Sequence, residues 1–354
     1  MNRTMGVTAV TRENLRTKPE RKGVQKPRFW AQLFSLGLNI WIGVQFYLWV
    51  KYIQNGGFGS EVSRPPGVEG WLPIGSLVSL KHLFDTGAVS MIHPAGLVIL
   101  VTIMVSSFIF KKGFCSWVCP IGFISEMLGD ISDRLFGRRT KPPKWLDYPL
   151  RSLKYLLLTF FVWAILIAMS PQAVESFLNT DYNVISDVLM LRFFTHISMF
   201  ALAVIAGIFF LSLVVRGFWC RYLCPYGALL GIFSLISPTR IRRNAASCID
   251  CNACAKVCPA FIKVDKVKEV VSDECLGCMA CIDSCPVKNT LLIHPARKRM
   301  VVSSRVWATA LLIVFWGTLL GFKLLGPWEN SVSKERYIRY MPGIEAGQFQ
   351  HPQP

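Results

Sequence analysis

Between Cys248 and Pro286 one arrangement occurs twice, C-x-x-C-x-x-C-x-x-x-C-P. It runs through Cys248, Cys251, Cys254 and Cys258 to Pro259, then through Cys275, Cys278, Cys281 and Cys285 to Pro286. Cysteines of an extracellular disulfide scaffold do not gather in continuous, proline-terminated runs, whereas metal-ligating cysteines do. Three closely spaced thiolates can wrap three corners of an iron–sulfur cubane, and the proline carries the fourth away to the neighbouring cluster. The spacing therefore predicts two 4Fe–4S clusters. One takes Cys248, Cys251, Cys254 and Cys285, and the other takes Cys275, Cys278, Cys281 and Cys258. Small or apolar residues between the ligands (Ile249, Ala253, Leu276, Met279, Ala280, Ile282) would shield the clusters from water and help set their potentials. Four cysteines also suit zinc, but zinc sites draw on two separated C-x-x-C pairs, and these runs are continuous.

The remaining four cysteines form a second repeat. Cys-Ser-Trp-Val-Cys-Pro-Ile-Gly from Cys115 recurs as Cys-Arg-Tyr-Leu-Cys-Pro-Tyr-Gly from Cys220. Proline favours the first position of a helix, so Cys119 and Cys224 are expected at N-caps, where the helix end should ease thiol ionisation. That suits redox thiols or metal ligands, and one sharper expectation is a third centre on Cys115, Cys119, Cys220 and Cys224. Buried structural cysteine is the plainer alternative.

Apolar residues make up 52% of the chain, and the mean hydropathy is +0.41. The cause is local. Windows at residues 29–50, 93–110, 150–169, 193–215 and 306–325 are long and apolar enough to cross a hydrocarbon core ~30 Å thick. A further stretch, 71–84, is too short to cross and reads as interfacial or re-entrant. Residues 1–28 are polar and basic, and the apolar segment after them is too long for a signal-peptide core, so no cleaved secretory signal is expected.

The net charge of +18 raises nucleic acid as a partner, but no recognition motif accompanies it, and none is expected. The charge is explained by its placement. Thirty-one of the 39 Lys and Arg residues fall in 1–28, 111–154 and 215–305, and six fall in the connections between those segments and after Gly326. Arg192 and Lys323 sit at span ends and can snorkel. Basic residues mark the cytoplasmic side, which puts the N-terminus and all twelve cysteines inside and the C-terminus outside.

The expected architecture is a mainly α membrane protein of five transmembrane helices, with a small α+β ferredoxin-like unit inserted before the last. Its parts are a basic cytoplasmic tail (1–28), a membrane domain with the duplicated span-plus-motif (29–237), the two-cluster unit (238–300), the last helix (301–326) and a short periplasmic tail (327–354).

Paired C-x-x-x-C-P motifs at the inner ends of membrane helices, followed by two ferredoxin motifs, resemble the NapH/NosR/CcoG-type membrane polyferredoxins from about residue 29 to 325. The resemblance implies a multi-pass bacterial inner-membrane protein that passes electrons, linked to the quinone pool and a membrane or periplasmic reductase, as a quinol-dehydrogenase-like subunit would be. NapH-like proteins are drawn with four spans, whereas this chain has a fifth. NosR-like proteins add a large periplasmic flavin domain and CcoG-like ones a smaller C-terminal domain, and the tail after Gly326 is too short for either. CcoG-like relatives also suggest an alternative, a copper-reducing assembly factor; a redox-sensing membrane regulator is another.

The expected chemistry is outer-sphere transfer of single electrons, which needs no acid, base or nucleophile, so no catalytic residue is named. His93 and His196 stand near the outer ends of two spans. Such residues can accept a proton from quinol or ligate haem, but a histidine bonded to backbone or water is the plainer reading, and haem is not expected. A span of eighteen residues is ~27 Å long, too far for one efficient tunnelling step, so electrons crossing the membrane need an intermediate such as a quinone.

Overall fold

The computed structural model describes residues 23–137, 142–295 and 300–349. Most of the expected basic tail lies outside the described residues, as do Arg297, Lys298 and Arg299.

Helices dominate, as the apolar windows require. Three are long and apolar enough to cross a membrane: α1 (Gln25–Gln54), α6 (Lys144–Val162, continued by a π-helical turn to Ala168) and α14 (Ser304–Leu325). Between α1 and α6 lie α2 (Pro73–Thr86), α3 (Pro94–Phe110), α4 (Gly113–Trp117) and α5 (Pro120–Leu135). α3 is apolar throughout but only 17 residues long. α2 covers the stretch expected not to cross, and it packs on α3 and on α7 (Pro171–Leu178).

The window at 193–215 is not one straight span. A short α8 (Asp181–Val184) leads into α9 (Ser186–Thr195), which meets α10 (Met199–Val214) at a bend of 80°. His196 leaves helical geometry at φ −125°, ψ 52°. Ser198 then caps a new helix, its hydroxyl accepting from the Ala201 N–H at 3.2 Å. Hydropathy runs unbroken through a polar cap of this kind, which hides the break. Length and composition thus support three crossings outright, with the bent pair as a fourth.

The connections sort to two ends. At one, Arg64 reaches Asp187, His93 reaches the Asn183 carbonyl, and Ser331 N–H donates to the Met91 carbonyl. The expected short tail after residue 326 includes α15 (Lys334–Glu345), which packs back on α1 with the Tyr337 ring edge-on to Trp49 at 4.9 Å. At the other end Arg28 meets Glu126, Arg216 meets Asp130 and Asp133, and Arg221 meets Asp147.

After α11 (Pro225–Ile236) comes the eight-cysteine unit. Its strands β1 (Thr239–Arg243) and β2 (Leu291–Pro295) pair antiparallel, Thr239 opposite Pro295 and Arg243 opposite Leu291. Between them α12 (Ala253–Lys256) and α13 (Ala280–Asp283) occupy equivalent positions in the two cysteine runs. The unit is not a tethered appendage. Met279, Ile282, Leu291 and Ile293 share one core with Trp117 and with Trp307, Leu311 and Phe315 of α14. Each such large side chain taken from water is worth roughly 1.5–3 kcal/mol.

Candidate metal centres

The two cysteine runs follow the same backbone path. Asp250 and Asn252 flank Cys251 with φ of 54° and 57°, and Gly277 and Met279 flank Cys278 with φ of 61° and 60°. Left-handed geometry costs a non-glycine residue roughly 1–2 kcal/mol and persists where the surroundings over-determine it. Here it curls the chain around the second cysteine of each run. Gly277 is required for a further reason: a Cβ there would lie 3.0 Å from the Trp307 ring and 3.2 Å from the Phe110 carbonyl.

Cys248, Cys251 and Cys254 line one small hollow together with Cys285, which arrives from the other run. Cys258, Cys275, Cys278 and Cys281 form the other group. Burial pushes the Cys281 thiol well up, and the neighbouring Cys278, Cys275 and Cys258 push it further. Burial, then Cys278, raises Cys258 to about 12. Four sulfurs this close and this dry cannot all ionise unaided, yet thiolate is the form that binds metal. A cationic iron–sulfur core supplies the missing charge, so the donor set fits that group.

The membrane-edge motifs also repeat in three dimensions. Cys119 caps α5 and Cys224 caps α11, their sulfurs accepting from Gly122 N–H at 3.4 Å and Gly227 N–H at 3.3 Å. A Cβ on Gly122 would fall 2.0 Å from the Cys115 carbonyl oxygen, and one on Gly227 would fall 3.0 Å from that of Cys220. The glycine in each motif therefore lets the new helix start directly against the first cysteine.

The expectation that these N-caps ease ionisation is overturned. Burial is the larger effect at all four sulfurs: it lifts Cys115 to about 11 and Cys220 to about 12, and raises Cys119 and Cys224 despite their N–H donors. Neighbouring thiolates add to this: Cys115, Cys220 and Cys224 raise Cys119, Cys224 and Cys115 raise Cys220, and Cys224 raises Cys115. All four line one cavity of about 1210 Å³. Its walls include Ile103, Phe161, Ile165, Phe315 and Leu319, and it extends to Ser63, Trp71 and Trp328 near the other end of the molecule.

Each membrane-edge motif also holds the eight-cysteine unit. From the first, Ser116 Oγ donates to the Leu276 carbonyl at 2.7 Å and Trp117 Nε1 donates to the Gly277 carbonyl at 3.2 Å. From the second, Arg221 donates to the Ala260 carbonyl at 3.4 Å and stacks on Phe261 at 5.3 Å. Arg221 is itself fixed by both oxygens of buried Asp147, at 2.9 and 3.1 Å. The loops so held lie between Cys275 and Cys278 and directly after Cys258, which are ligands of the same expected cluster. Sequence reasoning gave Ser116, Trp117 and Tyr222 no role and counted Arg221 only among the basic residues that set orientation. The signal that could have singled them out is that the repeat keeps its cysteines, proline and glycine while these positions diverge into large or polar residues.

His93 and His196 are not brought to one site. His93 is buried, its Nε2 at 2.7 Å from the Asn183 carbonyl and its Nδ1 at 3.4 Å from Glu69. His196 is exposed, and its ring Nδ1 lies 3.1 Å from the adjacent Thr195 hydroxyl. Sequence reasoning also missed the buried group formed by Arg64, Glu69 and Asp187, because widely spaced single charges carry no local pattern.

Residues 92–139 match the family of the 4Fe-4S binding domain, and residues 219–293 match that of the 4Fe-4S dicluster domain. Over 317 residues the chain is 45% identical to YccM of Escherichia coli strain K12, a protein named for electron transport, covering 88% of each. The chain belongs to the membrane polyferredoxin family. It is 29% identical to an uncharacterized protein of Methanocaldococcus jannaschii over 56% of this chain and 79% of that one. With the ferredoxin-type protein NapH of Haemophilus influenzae the identity is 26%, over 73% of this chain and 87% of NapH. No solved structure gives a significant match. Membership, the 4Fe-4S domains and the apolar helices make this polyferredoxin a membrane iron–sulfur protein of electron transfer.

Proposed function

We propose that this protein is an electron conduit of the bacterial inner membrane, linking a cytoplasmic donor or the quinone pool to a membrane or periplasmic reductase. In this reading the chain crosses five times, through α1, α3, α6, the α9–α10 pair and α14. The cysteine unit and N-terminus lie inside and α15 lies outside. The sorting of connections to two ends and the concentration of Lys and Arg at one of them support that arrangement. Bound 4Fe–4S clusters exchange electrons singly without making or breaking bonds. The chain's part is to hold them with Cys248, Cys251, Cys254 and Cys285, and with Cys275, Cys278, Cys281 and Cys258.

One observation carries the proposal. Both membrane-edge motifs grip loops bearing ligands of the second cluster, so the shortest way out of the cysteine unit leads to Cys115, Cys119, Cys220 and Cys224. Those sulfurs open on an apolar cavity whose size and lining suit a quinone and which extends through the span that single-step tunnelling cannot cover. The test is reduction of the clusters by a short-chain quinol analogue in sealed vesicles, read as bleaching of the iron–sulfur absorbance. Persistent absorbance with a demonstrably bound analogue would remove the quinone from the proposal.

The four sulfurs at the head of that cavity also favour a third metal centre. Iron and acid-labile sulfide beyond two cubanes, lost in Cys115→Ala, is the expected analysis; a content of two cubanes in both proteins rules it out. Copper bound stoichiometrically at the same four residues would instead support the assembly-factor reading.

A further inference from the structure

Resting on the conduit reading, which puts a quinone in the large cavity, we propose that two donors hold the quinone ring at the cysteine end. They are the ammonium of Lys112 and the hydroxyl of Tyr226, one for each carbonyl oxygen. Both residues line the cavity together with the four sulfurs. Lys112 follows α3 and is only 2% exposed. Its charge acts on Cys115 and Cys224, while Cys224 and Cys119 act on Tyr226. The Tyr226 ring packs against the cluster of Leu80, Leu97 and Leu100, which holds it in place. The turn itself does not need a phenol, because the matching position of the first motif is Ile121.

What marks these two groups is that nothing engages them. The other charged side chains lining this end are paired: Arg28 with Glu126, Arg216 with Asp130 and Asp133, Arg221 with Asp147, and Glu274 with Lys154. Lys111 is buried too, but its ammonium donates to the Ser234 carbonyl at 3.5 Å. Among the described residues, no hydrogen bond or ion pair holds the Lys112 ammonium or the Tyr226 hydroxyl. The acids that act on Lys112 from further off, Glu274 and Asp273, are bonded to Lys154 and Tyr155. A buried ammonium without an acceptor is costly, and a ligand oxygen relieves that cost. An ammonium can only donate, and a tyrosine hydroxyl donates readily. The matching ligand carries two acceptors on opposite edges of a flat ring and is otherwise apolar, which describes a quinone. Walls that include Ile103, Phe161, Phe315 and Leu319 receive its ring face and tail. A few placed polar groups in an apolar pocket are the usual form of a small-molecule site.

The test uses the full chain with its clusters loaded, in nanodiscs of quinone-free lipid, and radiolabelled decylubiquinone as the probe. Binding is counted above that of empty nanodiscs. Tyr226→Phe is expected to weaken it about three- to tenfold and Lys112→Met about tenfold or more, as a neutral and a charge-assisted hydrogen bond are lost. Lys112→Met removes a buried charge and keeps the bulk, so it should fold, which its iron–sulfur absorbance checks. The infrared carbonyl bands of the bound quinone, lowered by hydrogen bonding, should each return toward the free position in the variant lacking its donor. Decylbenzene, with the same tail and no carbonyl, should bind all three proteins alike. Equal decylubiquinone affinity and unmoved bands in both variants overturn the two-donor site. Loss of iron in Lys112→Met overturns it as well, since that lysine would then serve the metal. Reduction by the quinol analogue separates the two claims. If it bleaches the clusters while the variants bind decylubiquinone as the wild type does, only this site falls; if the wild type binds no decylubiquinone, the quinone falls with it.

Discussion

Trp117 Nε1 donates to the carbonyl of Gly277 at 3.2 Å, joining the middle of one membrane-edge motif to the loop between two cysteines of the ferredoxin-like unit. Trp117 is fully buried, so no water replaces the bond if the donor is removed. Trp117→Phe keeps most of the ring and leaves the carbonyl unsatisfied, which costs about 1–3 kcal/mol. The loss should appear as a lower unfolding temperature, followed by iron–sulfur absorbance. Electron transfer from the unit into the membrane domain should also slow, whereas reduction of the unit from solution should not. Equal slowing of both steps would contradict a specific junction at this residue.

Arg221 makes the corresponding junction from the second motif, and its anchor is buried. Arg221→Met strands Asp147, and breaking a buried pair costs about 3–5 kcal/mol. The lower end is expected here, because Arg151 also reaches Asp147, at 2.7 Å, and the Tyr222 hydroxyl donates to it at 2.7 Å. Arg221→Lys keeps the charge but loses the fork and the stacking on Phe261, so it should fall between. A double-mutant cycle with Asp147→Asn measures the coupling, expected at about 0.5–3 kcal/mol.

The 4Fe-4S domains and the duplicated motif were legible in the sequence because both are local, with chemistry set by spacing along the chain. The same spacing led to the proposed exchange of Cys258 and Cys285 between runs, and Cys285 lies in one hollow with Cys248, Cys251 and Cys254. What stayed hidden depends on burial or on distant partners. The ionisation of Cys119 was misjudged because an N-cap can be seen in a sequence and desolvation cannot. The bend at His196 was missed because a single Ser198 cap outweighs an uninterrupted apolar window. The helix after residue 326 was read as a tail, since Tyr337, Met341 and Ile344 make sense only against α1.

The two motif glycines should not be equally replaceable. Gly122→Ala places a methyl 2.0 Å from the Cys115 carbonyl oxygen, and Gly227→Ala places one 3.0 Å from that of Cys220. The first must displace the backbone that carries Cys115 and should exceed the ~1–3 kcal/mol usual for overpacking, while the second should stay within it. Gly207→Ala, with nothing within 4 Å in the middle of α10, is the control and should be neutral or stabilise by roughly 0.5–1 kcal/mol. Thermal unfolding of the three variants gives the order, and equal effects at 122 and 227 would refute this geometry.

Arg64 sits between Glu69 at 2.9 Å and Asp187 at 2.7 Å, with both carboxylates wholly buried. Arg64→Ala leaves Asp187 without its cation and Glu69 with only His93, at the N-terminal ends of α9 and α3, at a cost of about 3–5 kcal/mol. Hydrogen exchange should rise in residues 61–72 and 181–190 and stay unchanged in the cysteine unit. Adding Glu69→Gln and Asp187→Asn to Arg64→Ala removes the stranded charge and should restore part of the protection.

Removing the metal should give the protein an alkaline limit. In the folded chain Cys115 and Cys254 are pushed to about 11, and Cys220 and Cys258 to about 12, against an ordinary 9.0. Burial is the first cause at each. A thiol whose folded value lies above its unfolded one holds its proton more tightly in the folded state. Its contribution is therefore fully present below pH 9.0 and is lost as the pH rises from 9.0 towards 11 and 12. Chelator-stripped protein should lose stability progressively across that window, and alkylation of Cys115 by iodoacetamide should not reach half its limiting rate before about pH 11. With iron bound the ligating thiols are already deprotonated, so the alkaline loss should shrink. Acid becomes the vulnerable side instead, because protons then compete with metal for sulfur. Half-maximal alkylation of Cys115 near pH 9.0 in the stripped protein would show that this sulfur is not buried among the other three.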